Sequence, residues 1–255
     1  MTLPLSTRQL LQWYIESGVD ETIGDAPTDR FAVVIPAVAA TPPIPVRAAM
    51  ANTESAVHYA CELAAKAQTV DELRHALERF DGCALSKTAT NLVFADGSAD
   101  AKIIFIGDAP GAEEDRRGLP FVGSGGKLLD RMLDSIGLDR TRAMIANAIF
   151  WRPPGDRNPT PAETAVCMPF VERLVELVDP YILVTLGGAA AKSMLAQTSG
   201  ISRIRGRWLT YTTPRLARPV HAIAVFHPDN LQNTPAQKRE AWRDMLAIKR
   251  KLGEL

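Results

Sequence analysis

Four short apolar runs constrain this chain most: "KIIFIG" (102–107), "AMIANAIF" (143–150), "YILVTLGG" (181–188) and "HAIAVFHP" (221–228). They are apolar along their length rather than alternating, which marks strands covered on both faces. Between them lies enough chain for a crossover helix, as a parallel connection requires. The expected fold is α/β, a three-layer αβα arrangement around a central four-stranded parallel sheet. Helical patterns fill the gaps: "GSGGKLLDRMLDSIG" ends at a glycine, "PTPAETAVCMPFVERLVELV" opens on prolines and "GGAAAKSMLAQ" follows two glycines. A basic amphipathic stretch, "TPAQKREAWRDMLAIKRKL", closes the chain.

Ahead of the sheet, "TRQLLQWYIESG" carries apolar residues at helical spacing, whereas proline interrupts every pattern from Asp25 to Asn52 and predicts an extended arm. "ESAVHYACELAAKAQTVDELRHALERF" predicts two helices, the second opened by a Thr69–Glu72 capping box, with Cys61 packed inside the first. The expected organisation is an N-terminal helix with a Pro/Ala-rich arm over 1–55, followed by one domain over 56–255. With 255 residues, 46% of them hydrophobic, the chain is long enough for a full core. No apolar run approaches the roughly 18 residues of a membrane span, and the N-terminus lacks a basic start followed by an apolar block. A cytoplasmic, monomeric protein with no membrane partner is expected. Cys61, Cys83 and Cys167 are too few and odd in number for a disulfide framework. Lys and Arg total 29, as do Asp and Glu, so a polyanionic partner would need a local basic surface.

In an open α/β sheet, ligands sit beyond the carboxyl ends of the strands. The first run ends in "GDAPGAEEDRRGLPFVGSGGKLLDRML" (107–133), whose glycines fit neither GxGxxG nor GxxxxGK[ST] and so do not predict a simple nucleotide cradle. It delivers Asp108, Ala109, Pro110 and Gly111; the others deliver Asn147, Gly187 with Gly188, and His227 with Pro228. A carboxylate, an amide and an imidazole are thus expected to converge.

That first stretch, together with "NAIFWRPPGDRNPTPAE" (147–163) and "FHPDNL" (226–231), resembles the family-four uracil-DNA glycosylases, whose first motif usually reads GE[AG]PGxxED…G.PFVG.AG.LL. The likeness runs from about Leu73 to the C-terminus. It implies a base-excision repair enzyme that flips uracil out of DNA and hydrolyses the N-glycosidic bond. Free uracil and an abasic site would be the products. Lyase action is not expected, because no lysine follows a strand. By the resemblance, Phe121 stacks on the base and Asn147 reads its edge. An amide accepts from uracil N3–H while donating to O4, and cytosine presents the opposite pattern. Gly107 and Ala109 complete the uracil pocket. His227 would donate to O2, where the leaving base gathers charge. Either Asp108 or Glu114 would steady the sugar cation or orient water; Glu113 reads as a solvated charge. Pro110, Gly111, Gly123 and Ser124 would approach the DNA backbone, and Arg152, Arg203, Arg205 and Arg207, with the final helix, would meet phosphates. Leu231 resembles the wedge that fills a flipped base's place.

Three departures qualify these expectations. Asp108 stands where the family usually has glutamate, one methylene shorter. Family-four enzymes usually hold a four-iron cluster through four cysteines, but here only Cys83 and Cys167 remain, with Phe80 and Trp151 in the other two places. No cofactor or metal is therefore expected, with the two aromatic rings filling the space. A cousin subgroup traps its product through a histidine in an insertion after the second motif, and "RPPGDRNPTP" has neither, so covalent trapping is not expected. The altered cluster and Asp108 leave a second reading, a non-catalytic uracil or abasic-site binding module. A small-molecule nucleotide enzyme is a weaker third.

Overall fold

The computed structural model describes residues 7–17 and 46–255. The chain divides into two units, Met1–Ile44 and Pro45–Leu255. In the first, the helical spacing produces α1 (Thr7–Glu16), with Trp13 and Tyr14 edge to face at 5.3 Å. Most of the expected arm lies outside the described residues. Its last part is corrected: a helix begins at Val46, because no proline follows Pro45 until Pro110 and the segment is rich in alanine.

The second unit opens with α2 (Val46–Lys66) and α3 (Val70–Glu78). Thr69 caps α3 by accepting from the Glu72 N–H at 3.1 Å, while the Glu72 carboxylate reaches one residue further back, to the Gln68 N–H at 2.7 Å. Cys61 is exposed on α2 and does not pack inside, contrary to the sequence expectation; Ala60 and Ala64 occupy the inner face. There follow β1 (Ala95–Gly97), β2 (Ile103–Gly107), α4 (Ala112–Arg117), α5 (Ser124–Ser135), β3 (Met144–Asn147), α6 (Pro161–Val178), β4 (Ile182–Leu186) and α7 (Gly188–Leu195). The chain ends through α8 (Ile201–Ile204), β5 (Trp208–Tyr211), β6 (Val220–Val225), α9 (Pro228–Asn233) and α10 (Lys238–Gly253).

The four apolar runs become β2, β3, β4 and β6, mutually parallel. The sheet itself is six-stranded and mixed, in the order β1-β3-β2-β4-β6-β5, because β1 and β5 add antiparallel edges. This corrects the expected four-stranded sheet. The edges escaped the apolar criterion: β1 is "ADG", and β5, "WLTY", is largely exposed. Burial follows the pleat. Ile104 and Ile106 face a core with α2, α3 and α6, whereas Ile103 and Phe105 face one with Leu129 and Leu133 of α5 and Met245 and Ile248 of α10. The helix layers thus fix the strands from both sides, and the strand ends open onto one edge of the sheet.

Candidate active site

A cleft of about 570 Å³ lies at these strand ends. Its floor follows from register: Gly107 at the end of β2 pairs with Asn147 at the end of β3. Gly107 must lack a side chain, because a Cβ there would strike the Phe121 ring and come within 2.6 Å of Asn147 Oδ1. Asn147 is 2% exposed, yet its amide makes no hydrogen bond to a described residue and lines the cleft. The amide is not among the fully buried polar atoms left without a partner, so it is the cavity, open to water or a ligand, that meets its hydrogen-bonding needs. Asn147 is thus a ready donor–acceptor pair facing the cavity.

Asp108 follows Gly107. One carboxylate oxygen accepts from the Ala190 N–H at the start of α7, whose N-cap, Gly187, has no side chain to offer. The helix end and the carboxylate satisfy each other. Burial raises the Asp108 pKa, opposed by the neighbouring His227 and the Ala190 hydrogen bond. His227 is the N-cap of α9, and its ring faces Phe121 at 5.6 Å. The Asp229 backbone N–H points at His227 Nδ1, 3.3 Å away, so a neutral imidazole carries its proton on Nε2. Asp229 was not singled out in the sequence. Its carboxylate lies against the first turn of α5, where a side chain on Gly125 would collide with it.

Glu113, Glu114 and Asp115 fall in the first turn of α4, where negative charge suits the helix dipole. Glu114 Oε1 accepts from the Val122 and Gly123 N–H groups at 2.9 and 2.8 Å. It therefore clasps the segment that carries Phe121. The half-exposed Glu113 pairs with Arg116 at 2.6 Å. Phe121 itself has a left-handed backbone, φ 53°, an unusual state for a large side chain. Two features hold it. Gly126 allows the Phe121 carbonyl to approach as no larger residue could. Arg140 bonds the Phe121 and Pro120 carbonyls, the latter at 3.0 Å, and is itself anchored by Asp96 at 2.7 Å and Asp130 at 2.8 Å. Sequence reasoning missed Arg140, since a lone arginine between a helix and a strand carries no signal of this use.

The remaining expected residues separate into two groups. Ala109, Pro110, Gly111, Gly123 and Ser124 line the cleft with Asp108, Glu114, Phe121, Asn147 and His227. Arg152 lies just outside, bidentate to Asp156 at 2.7 and 3.0 Å, while its neighbour Arg157 lines the cleft and is bound to Glu163 in the capped start of α6. Arg203 and Arg207 are exposed, but Arg205 turns inward to Asp244 of α10 and to the Glu240 carbonyl, 2.8 Å away. Arg205 is thus a structural clamp rather than a free phosphate contact. Leu231 is also corrected: it is 1% exposed, packed with Phe226 and Ala241, and as an α9 core residue it presents nothing to a base stack.

Residues 94–246 match the family model described as the Uracil DNA glycosylase superfamily. The chain belongs to that superfamily. It is 37% identical over 192 residues to a type-4 uracil-DNA glycosylase of Archaeoglobus fulgidus, covering 74% of this chain and 94% of that protein. It is 34% identical to a type-4 uracil-DNA glycosylase of Thermotoga maritima, covering 61% of this chain and 79% of that one. A type-4 enzyme of Sulfurisphaera tokodaii is 36% identical over 57% of this chain and 68% of its own length.

The superfamily resemblance raises the question of an iron–sulfur cluster, and the residues here do not fit one. Cys83 and Cys167 are buried and hydrogen-bonded to each other; that bond lowers the Cys83 pKa and, with burial, raises that of Cys167. Phe80 packs edge-on against Phe170 at 5.1 Å, and Trp151 sits against Phe150 in the same core. Among the described residues, no group of three or more His, Cys, Asp or Glu side chains is arranged to hold a metal.

Proposed function

We propose that this chain is a monofunctional uracil-DNA glycosylase acting in base excision repair. Its superfamily membership and type-4 relatives support the activity. The observation that carries the site is the Asn147 amide, at the cleft beside Phe121 and His227 and with no side-chain hydrogen bond to a described residue. Uracil drawn out of the stack lies on the Phe121 ring, accepts at O4 from the Asn147 NH₂ and donates its N3–H to the Asn147 oxygen. Arg140 and Glu114 act at one remove, by fixing the Phe121 segment. As the C1′–N1 bond breaks, its electron pair goes to N1 and spreads to O2, where His227 Nε2–H donates. The sugar becomes cationic, and Asp108 stabilises it and orients the water that adds to C1′; the proton that water loses balances the one the uracil anion takes up to leave as neutral uracil. The choice of Asp108 over Glu114 rests on the two backbone N–H groups already bonded to Glu114 Oε1. Among the described residues no lysine lines the cleft, which favours hydrolysis over Schiff-base chemistry.

The pH profile tests the Asp108 assignment. An ionised Asp108 is required, and burial raises its pKa, so activity is present above that raised value and lost as pH falls through it. The acid limb should lie above the position an ordinary aspartate, about 3.9, would give. Asp108→Asn should be slow and lack that limb; an unchanged profile would transfer the role elsewhere.

The aromatic packing around Cys83 and Cys167 supports a protein that works without a cluster. Anaerobically purified protein should show no visible iron–sulfur absorption and no stoichiometric iron, with activity unaffected by chelators. A coloured preparation with stoichiometric iron would contradict this. The glycosylase reading is tested by product mass: a uracil-containing strand should lose the mass of the base and gain water, with the strand uncut until alkali is added.

A further inference from the structure

The outer face of α10 is a basic and aromatic surface that the cleft chemistry does not use. Arg239, Trp242, Arg243, Leu246 and Arg250 recur at helical spacing and are exposed, Trp242 by 47%. The Arg205 clamp joins this helix to the segment carrying Arg203, Arg207 and Trp208, and packs residue 206 so closely that a Cβ there would lie 2.6 Å from Asp244. Trp208 is 36% exposed at the start of the edge strand β5.

Two features place Trp208 and the start of α10 near the cleft. Trp208 pairs with Ile223, four residues before His227, or about 13 Å along an extended chain. The start of α10 follows α9, which His227 caps, through one short turn at Pro235–Gln237. The charge balance is also one-sided. Asp244 and Glu240 are engaged with Arg205, whereas Arg203, Arg207, Lys238, Arg239 and Arg243 form no salt bridge among the described residues.

From this we infer that the α10 face, continued over Arg203, Arg207 and Trp208, is a platform for single-stranded DNA flanking the base in the cleft. Unpaired cations suit a polyanion, and exposed indoles interleaved with them suit unstacked bases. A duplex offers the same phosphates but hides its base faces, so the tryptophans distinguish the two. The inference rests on the glycosylase reading for its purpose but not for its test.

The test measures binding of the full chain to a uracil-free single strand and to the matching duplex, so a failure of the glycosylase reading leaves it intact. Trp242→Ala should weaken single-strand binding by about tenfold and leave duplex binding nearly unchanged, and Trp242→Phe should restore most of the loss. Arg239→Ala with Arg243→Ala should reduce the salt dependence of log K by about 1.4, at about 0.7 per lost phosphate contact. Equal losses on both DNA forms would overturn the inference. So would an unchanged affinity in Trp242→Ala, which would assign the face to a protein partner.

Discussion

Replacing His227 with alanine should slow single-turnover excision of uracil by about 10²- to 10³-fold, the usual effect of removing one preorganised donor at a developing anion. The ring is held by the Asp229 N–H at Nδ1 and by its position as the α9 cap, so Nε2 is aimed before substrate arrives. Charge reaches uracil O2 only as the glycosidic bond breaks. The loss should therefore appear in the rate of the chemical step, with affinity for uracil-containing DNA little changed. A weakened affinity with a near-normal rate would assign His227 to ground-state binding instead.

Asn147→Ala should slow excision by about 10² or more and abolish inhibition by free uracil, because two hydrogen bonds to the base edge are lost together. The expected effect on stability is small. The Asn147 side chain lines the cleft and hydrogen-bonds no described residue, so truncation breaks no hydrogen bond within the protein. Activity and thermal stability should separate in this variant. A large fall in melting temperature with a proportionate loss of rate would make Asn147 a strand-end structural residue.

The place of these two residues at the strand ends, on the cleft, was legible because the fold puts the ends of its buried strands there. Ile103 to Ile106, Ile182 to Leu186 and Ala222 to Val225 are fully buried runs, and a polar residue at the end of such a run has few reasons to be there. The edge strands were not legible, since β1 spans three residues including an aspartate and a glycine, and β5 shows its face to solvent. Arg140 was invisible for a different reason: its partners, Asp96, Asp130 and the Pro120 and Phe121 carbonyls, are brought together only by the tertiary fold. Arg203, Arg205 and Arg207 look alike in sequence, and only the approach of α10 separates the buried clamp from its exposed neighbours. Leu231, at the motif position expected of a wedge, is buried against Phe226 and Ala241, a packing that the sequence did not show.

Glu114 also changes meaning in three dimensions. As a letter in the first motif it competes with Asp108 for the water; as a structure it closes the Phe121 segment through the Val122 and Gly123 N–H groups. Asp108, although one methylene shorter than the family's usual residue, keeps its place through the start of α7, which fixes one oxygen and leaves the carboxylate beside His227.

The central claim is most directly tested with an oligonucleotide carrying a single uracil, incubated with excess protein and then treated with alkali. The strand should break at the uracil position only after alkali, and a thymine-containing control should remain intact. Binding to the uracil strand without any cleavage at enzyme excess would contradict the account and leave a non-catalytic binding module on the same fold.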